Sequence, residues 1–530
     1  MTIRITSLRA DLNYRQRPLE SLAARALKID AKAIRSVRLL RQSVDARDKG
    51  DVHFVLTLDV ETRVTPRSLP RGAQIVEMEP APVRIAPRTL THPPLVVGMG
   101  PAGLFCALML AEAGLRPVVV ERGRDVDART RDVEAFWNGG ALDVRSNVQF
   151  GEGGAGTFSD GKLTTGIKDP RIARVLETFV RFGAPEEILY LAKPHIGTDR
   201  LRDVVRGIRQ EIQRLGGDVR FETQLTGLRV ADGRVTGALL RSPDGDSVLD
   251  TRDVVLAIGH SARDTFRTLH AMGVPMEPKA FSIGARIEHR QRMIDESQYG
   301  PAAGHPALGA ADYKVNVTLP SGRGVYTFCM CPGGSVVAAA SEANTVVTNG
   351  MSLHARDGEN ANSALLVGVT PQDFGSDDPL AGVAFQEQWE RAAFAAGGGD
   401  YRAPAQRVGD LLTDRPSVRS GKVKPTYRPG VKWTTLKDCL PGFAYESLRE
   451  ALPLLNRKIR GFADPDAVLT GVETRSSSPV RILRDATGQS AVRGLYPAGE
   501  GAGYAGGITS AAVDGIRAAE HVMRGDVRPD

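Results

Sequence analysis

The sequence is poor in three residue classes that would each point to a particular kind of protein. Aromatic residues make up only 5% of the 530 residues, which argues against the stacking surfaces that bind nucleic acid bases. Four cysteines are too few for a disulfide framework in a chain of this length, and with nine histidines they show no zinc-ligand spacing. We therefore expect a reducing, cytoplasmic compartment and no metal site.

Long apolar runs are also missing. None approaches the roughly 20 residues that span a membrane, and the N-terminal residues lack the apolar core of a signal peptide. The net charge of +7 lies entirely in residues 1–90, which hold 17 basic and 10 acidic residues, whereas the remaining residues balance at 52 against 52. A solvated basic face explains this excess most simply, and an RNA-binding surface is the alternative.

The sequence does contain a dinucleotide-binding pattern between Leu95 and Gly123. A short apolar strand leads into the turn Gly98-Met99-Gly100-Pro101-Ala102-Gly103, then an apolar helix and a second strand that ends on Glu121. In this fingerprint the glycines permit a tight turn, close approach of a pyrophosphate and close helix packing, and the acid accepts hydrogen bonds from ribose hydroxyls. The pattern predicts nucleotide binding, and a packing turn without a ligand is the alternative.

Two further glycine-rich segments extend this prediction. The run from Phe150 to Lys162 has four glycines in six positions, which suits a loop along a cofactor. Near the C-terminus, a predicted strand ends on Gly499-Glu500, and a helix opens after Gly506-Gly507 at Ile508. Such a helix N-terminus suits the edge of a flavin ring where negative charge accumulates on reduction.

The order of elements predicts an α/β protein of three parts. Residues 1–90 are predicted to form a small basic, ferredoxin-like α/β unit followed by a Pro- and Arg-rich linker. Residues 91–275 and 471–530 are predicted to form a discontinuous, Rossmann-like domain that carries a small meander at 219–240. Residues 276–470 show short alternating runs and predict an inserted, mostly antiparallel β domain with helices near 384–396 and 447–458.

With these motifs in place, the chain resembles flavoproteins of the two-dinucleotide-binding-domain type. More narrowly, it is similar to a bacterial family of uncharacterised FAD-dependent dehydrogenases, through segments such as FGEGGAGTFSDGKL, KPHIGTDRL, YTFCMCPGGSVVAAASE, VETRSSSPVRI and LYPAGEGAGYAGGITSAAVDGI. The resemblance implies non-covalent FAD and a glutathione-reductase-like FAD domain with an inserted domain over the flavin. The cofactor-binding residues predicted from the motifs and the resemblance are Gly98, Gly100, Pro101, Ala102, Gly103, Glu121, Arg122, Gly154, Gly156, Thr157, Leu225, Gly259, Gly499, Glu500, Gly506, Gly507 and Ile508.

Six residues are candidates for the chemistry. His195 is a candidate acid or base, or else an ordinary hydrogen-bonded histidine. Cys329 and Cys331 lie two apart and share one face of a regular strand, either as a redox pair or as small packing residues. Arg475 and Arg481 suit either the clamping of an anionic substrate or interdomain ion pairs. The sixth candidate is Lys162, which would neutralise a phosphate or reduced flavin.

These features predict an FAD-dependent oxidoreductase that passes hydride or electrons between flavin N5 and an organic substrate. NAD(P)H is a candidate electron donor, although no second G-x-G-x-x-G marks a separate domain for it. The expected partners are a small-molecule substrate and an electron-transfer partner. Flavin-dependent RNA modification and a flavin-bound scaffold without turnover are the alternatives.

Overall fold

A computed structural model describes residues 1–77 and 86–525 of the chain. The N-terminal unit comprises β1 (Thr2–Ala10), α1 (Leu19–Leu27), β2 (Ile34–Asp45), β3 (His53–Thr62) and β4 (Ala73–Val76). Its antiparallel order, β2-β3-β1-β4, is that of a ferredoxin-like sheet, but residues 63–72 form a loop where that fold has a second helix. Residues 78–85 of the predicted linker and the last five residues of the chain lie outside the described residues.

The next part of the chain forms the nucleotide-binding type of sheet. Its elements are β5 (Leu95–Val97), α2 (Pro101–Glu112), β6 (Val118–Val120), α3 (Val126–Trp137), α4 (Arg171–Arg181), α5 (Thr198–Arg214), β7 (Asp218–Arg220), β8 (Gln224–Ala231), β9 (Arg234–Ser242), β10 (Gly245–Leu249), β11 (Val254–Leu256) and α6 (Arg263–Ala271).

The inserted part follows. Its elements are β12 (Met276–Pro278), β13 (Phe281–Arg290), α7 (Gln291–Tyr299), β14 (Asn316–Thr318), β15 (Gly324–Cys331), β16 (Ser335–Ala338), β17 (Thr348–Met351), β18 (Asn360–Val369), α8 (Pro371–Phe374), α9 (Ala381–Gly397), β19 (Ala403–Arg407), α10 (Val408–Leu412), β20 (Val431–Trp433), α11 (Gly442–Lys458) and β21 (Val468–Glu473). The chain then returns through β22 (Val480–Ile482), β23 (Leu495–Pro497) and α12 (Ile508–Arg524).

Five parallel strands in the order β23-β11-β5-β6-β7 form the sheet of the nucleotide-binding part. Its central strands are short and wholly apolar, as expected for a parallel sheet covered on both faces. Helices α2, α5 and α12 cover one face, and the β8–β10 meander and α6 cover the other. The strands from residues 95 and 495 thus belong to one sheet, although 400 positions separate them.

One sequence prediction fails at the edge of this sheet. The meander predicted over 219–240 does not begin at 219, because the structure assigns residues 218–220 to a strand of the parallel sheet and starts the meander at Gln224. Glu222, between these two strands, has a left-handed φ of 49° that no regular strand accommodates. As a result, β7 pairs in parallel with β6, and β8 starts the meander.

The inserted part is built on seven strands in the order β14-β15-β18-β13-β21-β19-β20. All neighbours pair antiparallel except β19 and β20, which are parallel. The central strands β13 and β18 are buried on both faces, and α11 packs on the sheet. The chain leaves the nucleotide-binding part through β12 and returns to it through β22. These two strands pair antiparallel and so join the two parts.

Membrane-spanning helices and clusters of metal-binding side chains are both absent from the described residues. No helix in residues 1–77 and 86–525 combines the length and apolarity needed to span a bilayer. No cluster of three or more His, Cys, Asp or Glu side chains suited to a metal ion occurs in the same residues.

Candidate functional site

Three glycine-rich turns meet at the carboxyl edge of the parallel sheet, and they pack backbone against backbone. At Gly98, where φ is 96°, an added Cβ would overlap the carbonyl oxygen of Ala257. An added Cβ on Gly103 would overlap the carbonyl oxygen of Gly98, so the absence of a side chain lets α2 begin directly beside β5. The first turn therefore has the tight geometry of a dinucleotide-binding turn.

The second and third turns lie against the first. A Cβ on Gly154 would lie 2.9 Å from the Cα of Gly100, and one on Gly499 would lie 2.8 Å from the Cβ of Ala102. The N-terminus of α12 completes the arrangement, with the side chain of Ile508 3.1 Å from a Cβ placed on Gly156. Free N–H groups at the starts of α2 and α12 and exposed glycine backbone suit an extended, anionic ligand such as a dinucleotide.

Glu121 ties two of these turns together. Its buried carboxylate accepts hydrogen bonds from the backbone N–H groups of Met99, Gly123 and Gly151 at 2.9, 2.9 and 3.0 Å. Glu121 was predicted to bind a ribose, and these hydrogen bonds give it a structural role that the spacing did not reveal. It anchors the loop at residue 151 to the end of β6.

One cavity of about 450 Å³ runs along these turns, within the size range of ligand sites. Fifteen of the seventeen predicted cofactor-binding residues line it: Gly98, Gly100, Pro101, Ala102, Glu121, Arg122, Gly154, Gly156, Leu225, Gly259, Gly499, Glu500, Gly506, Gly507 and Ile508. Gly103 lies behind the lining, in the strand–helix contact. Thr157 is buried below the loop, where its carbonyl accepts a 2.5 Å hydrogen bond from Thr198.

Arg122 closes one end of the cavity. Its guanidinium donates to both carboxylate oxygens of Asp264 at 2.9 and 3.1 Å and to the hydroxyl of Thr265 at 3.0 Å. It also lies 4.4 Å above the centre of the Phe150 ring. This end, which follows the first βαβ unit, fits the adenosine half of FAD.

The opposite end is closed by the inserted sheet. Cys329 on β15 is half-buried and faces the cavity, together with Glu473 at the end of β21. Burial raises the pKa of Glu473 to about 7, although Arg286 opposes this with an ion pair at 2.8 Å. Burial also raises the pKa of Glu500, which follows β23 of the parallel sheet, to about 7. Both carboxyl groups therefore titrate near neutral pH.

A positively charged side chain also lines the cavity. Lys162 lines the cavity, and its Nζ is 3.7 Å from the fully buried carboxylate of Asp160. Arg356 holds the same carboxylate through Nε and Nη2 at 2.9 and 2.5 Å. Burial raises the pKa of Asp160, but Lys162 and Arg356 outweigh burial and lower it overall.

The structure does not bring His195 to the cavity, contrary to the expectation of an acid or base near the ring. Its Nε2 is 3.1 Å from the carbonyl oxygen of His354, and its ring stacks on that of His354 with centres 5.2 Å apart. Burial, assisted by Arg356, lowers the pKa of His195 to about 4. The imidazole is therefore neutral at physiological pH and packs behind the site.

Arg475 lines the cavity, but its guanidinium is committed to protein partners. Nε and Nη2 donate to the buried Glu390 at 3.0 and 2.8 Å, and Nη1 donates to Ser261 and Ser341 at 3.1 and 2.5 Å. Arg263 on α6 binds the same Glu390 carboxylate, so this cluster links the two parts of the molecule.

The other candidates also have definite positions. Arg481 lies outside the cavity, near Glu277 at 3.4 Å and over the Tyr504 ring. The structure thus favours the interdomain alternative for both arginines. Cys331 is fully buried behind Cys329 and does not line the cavity.

Sequence reasoning missed Arg286, Glu473, Asp160 and Arg356. A signal was present for two of them: Arg286 interrupts the apolar strand Phe281–Ile287, and Glu473 belongs to the segment VETRSSSPVRI. A charged residue inside a buried strand requires a partner, but nothing in the sequence shows which one.

Comparison with known proteins identifies relatives. A family model described as "FAD-dependent protein, C-terminal domain-like" matches residues 280–476, and a domain of unknown function matches residues 2–61. An uncharacterised protein from Clostridium beijerinckii is 47% identical over 532 residues, which cover 99% of each chain.

Solved structures are related only distantly. The flavin-dependent brominase Bmp2 gives a TM-score of 0.36 at 14% identity over 82% of this chain and 79% of its own. A geranylgeranyl bacteriochlorophyll reductase-like protein from Thermoplasma acidophilum gives 0.35 at 14% identity, over 82% and 78% of the two chains. Such distant likeness carries no argument. The family model and the relative show the family alone: the chain belongs, with the Clostridium protein, to a family of uncharacterised FAD-dependent proteins.

Proposed function

We propose that the protein is an FAD-dependent oxidoreductase that exchanges hydride or electrons with a small-molecule substrate in the cavity between its two sheets. One observation carries the proposal: a single cavity has a wall of glycine-rich backbone on one side and a wall of ionisable side chains on the other. A scaffold that only stores a flavin has no need of the second wall.

The glycine wall has the properties required to hold FAD. The turns at Gly100 and Gly154, with the start of α2, would bind the pyrophosphate through backbone N–H groups. The start of α12 at Ile508 would face the edge of the flavin ring that becomes negative on reduction. Glu121 and Glu500 would accept hydrogen bonds from ribose and ribityl hydroxyls. When bound, FAD supplies the hydride and electron chemistry itself.

The groups that would act on the substrate come from both walls of the cavity: Glu473 from β21 of the inserted sheet, and Glu500 and Lys162 from the nucleotide-binding part. Glu473 and Glu500 have pKa values near neutral pH, so each is able to hold or release a proton at its carboxylate oxygens during turnover. Lys162 lines the same cavity, and its positive charge would favour an anionic substrate group.

NAD(P)H is the electron donor that we propose to test first. Of the sheets formed by residues 1–77 and 86–525, only the one at the glycine turns consists of parallel strands alone and has the dinucleotide-binding arrangement. A nicotinamide donor would therefore enter the same cavity rather than a domain of its own.

Anaerobic titration of the FAD-loaded protein with NADH, NADPH and a panel of metabolites tests the proposal. We expect at least one donor to bleach the visible flavin band with saturation. A protein that retains FAD and is bleached by dithionite, but by none of these donors, would favour the scaffold. A Glu473→Gln variant that retains FAD should bleach more slowly with the same donor if this carboxyl group moves a proton.

A further inference from the structure

Two of the four cysteines lie together at the wall of the cavity that faces the glycine turns. Cys329 is half-buried and lines the cavity, whereas Cys331 is fully buried behind it. Cys106 in α2 and Cys439 before α11 are buried in separate apolar cores, where burial raises the pKa of each thiol. The pair at β15 is therefore in a different setting from the other two.

A β-bulge creates this arrangement. Phe328 pairs with Ala364 and Cys331 with Asn362, so β15 has one residue more than β18 over this interval. Cys329 within the bulge has a left-handed φ of 43°, which is strained for a residue with a side chain. The sequence predicted that both thiols share one face of a regular strand. The bulge instead turns Cys329 to the cavity and leaves Cys331 behind it.

The carbonyl oxygen of Cys329 holds the bulge in place. It accepts hydrogen bonds from Nη1 and Nη2 of the buried Arg286 at 2.9 and 3.2 Å, and one from the Cys331 thiol at 3.3 Å. A fixed positive charge therefore lies at the backbone of the bulge that carries the two cysteines. Because a strained conformation persists only where neighbours enforce it, the geometry indicates a functional reason for the bulge.

The surrounding charges distinguish the two thiols. The neighbouring Cys331 thiol lowers the pKa of the Cys329 thiol, and Lys162 and Arg286 lower it further against the effect of burial. The Cys329 side chain and burial raise the pKa of Cys331. The outer sulfur thus favours the thiolate and the inner one stays protonated, as in an attacking and a resolving thiol.

We propose that Cys329 and Cys331 form a redox-active dithiol that exchanges two electrons with FAD bound in the same cavity. This proposal rests on the proposed function, because it needs FAD to undergo redox chemistry at this wall. The proposed function leaves the redox partner of FAD open, and this proposal names one: a disulfide within the chain.

The step balances in atoms and electrons. A Cys329 thiolate and a Cys331 thiol form one S–S bond, and the pair loses two electrons and one proton. Oxidised FAD accepts both electrons and the proton as a hydride equivalent, and the net charge is unchanged. The reverse step regenerates the dithiol from reduced FAD. No other oxidant or reductant is needed.

The test counts electrons and thiols in the FAD-loaded protein. The air-oxidised protein is titrated anaerobically with dithionite while the flavin band is followed. Wild type should take up about four electrons per FAD, two for the flavin and two for the disulfide. Cys329→Ser and Cys331→Ser should each take up about two, whereas Cys439→Ala, a matched buried cysteine outside the pair, should behave as wild type.

Maleimide tagging with peptide mass spectrometry provides a measurement that needs no variant. We expect Cys329 and Cys331 to be protected together, as one disulfide-linked peptide, after oxidation, and to be tagged together after reduction. Uptake of only two electrons by wild type, with both cysteines tagged in the oxidised protein, would overturn the dithiol while leaving the oxidoreductase intact. A disulfide that forms and breaks in a protein whose FAD is never reduced would instead overturn the proposed coupling to FAD.

Discussion

Arg286 and Glu473 form an ion pair inside the inserted sheet, with Nε 2.8 Å from Oε2 and almost no exposure of either side chain. The two residues come from adjacent strands, β13 and β21, and the pair connects two parts of the site. Arg286 supports the bulge that carries Cys329, while Glu473 lines the cavity. A change at either residue should therefore affect both stability and the site.

Arg286→Met should destabilise the protein strongly. Without Arg286, the buried Glu473 must either stay charged without a partner or bind a proton, and breaking such a buried pair costs about 3–5 kcal/mol of unfolding free energy. The double variant Arg286→Met/Glu473→Leu should recover much of this loss, because neither charge remains. Denaturant midpoints of the three proteins measure the effect.

The exposed pair Arg292–Glu296 is the matched control. Arg292→Met should change the unfolding free energy by less than about 1 kcal/mol, since water already solvates both charges. Equal losses for Arg286→Met and the double variant would show that the ion pair is not the cause.

Gly154→Ala should weaken FAD binding by at least about ten-fold. The residue has a φ of 61°, and an added Cβ would approach the Cα of Gly100 to 2.9 Å. A left-handed conformation costs roughly 1–2 kcal/mol for a residue with a side chain, and relief of the contact must move one of the two turns. The dissociation constant is measured by diluting the FAD-loaded protein and following the flavin fluorescence that recovers as FAD is released.

Gly166→Ala serves as the control for that substitution. Gly166 lies on the same stretch of chain, but a Cβ there has no heavy atom within 4 Å and its φ is not left-handed. It should leave FAD affinity unchanged. If both variants bind FAD as wild type does, the contact between the turns at Gly100 and Gly154 is not part of the binding site.

The glycine wall could be predicted from the sequence because its signals are local. Each turn carries its glycines and the start of a helix within about ten residues, so the segments near residues 100, 154 and 500 were recognisable separately. The family comparison confirms the expectation of FAD. The pairing of β5, β11 and β23 brings the first and third turns together, and the apolar strand runs indicate these strands. The second turn is attached through Glu121, which the spacing did not reveal.

The opposite wall could not be predicted in the same way. Arg286 and Glu473 are 187 positions apart and meet only because β13 and β21 are neighbours in the inserted sheet. The orientation of Cys329 depends on one extra residue in β15, and a bulge leaves no signature in a run such as VYTFCMC. His195 next to a proline looked accessible, but its stacking on His354 depends on a loop 159 positions away.

Glu121→Gln should lower both FAD retention and stability. The carboxylate accepts three backbone N–H groups, and an amide offers only one oxygen and places an NH₂ group against at least one donor. An unsatisfied buried donor costs about 1–3 kcal/mol, so we expect a lower denaturant midpoint and faster FAD release. Glu112→Gln, in the outer ion pairs of α2, should change neither.

Glu500→Gln should flatten the pH dependence of stability of the FAD-free protein. Burial raises the pKa of Glu500 to about 7 in the folded state, above its ordinary value of 4.5. Between these two values the folded state binds more protons than the unfolded state, so the unfolding free energy falls as the pH rises through this window. Glutamine does not titrate, so its variant should lack the contribution of Glu500 and keep only the fall that Glu473, with its own pKa of about 7, contributes.

The expected difference between the two curves is moderate. Because Glu500 is only half-buried and lines an open cavity, solvent screening reduces its contribution to about 1–2 kcal/mol between pH 5 and pH 7. Thermal midpoints of wild type and Glu500→Gln at pH 5, 6, 7 and 8 measure it, and Glu296→Gln on the surface is the control. Wild-type and Glu500→Gln curves that stay parallel across this range would mean that Glu500 is ionised in the folded protein, and the acid–base role that we propose for it would then be lost.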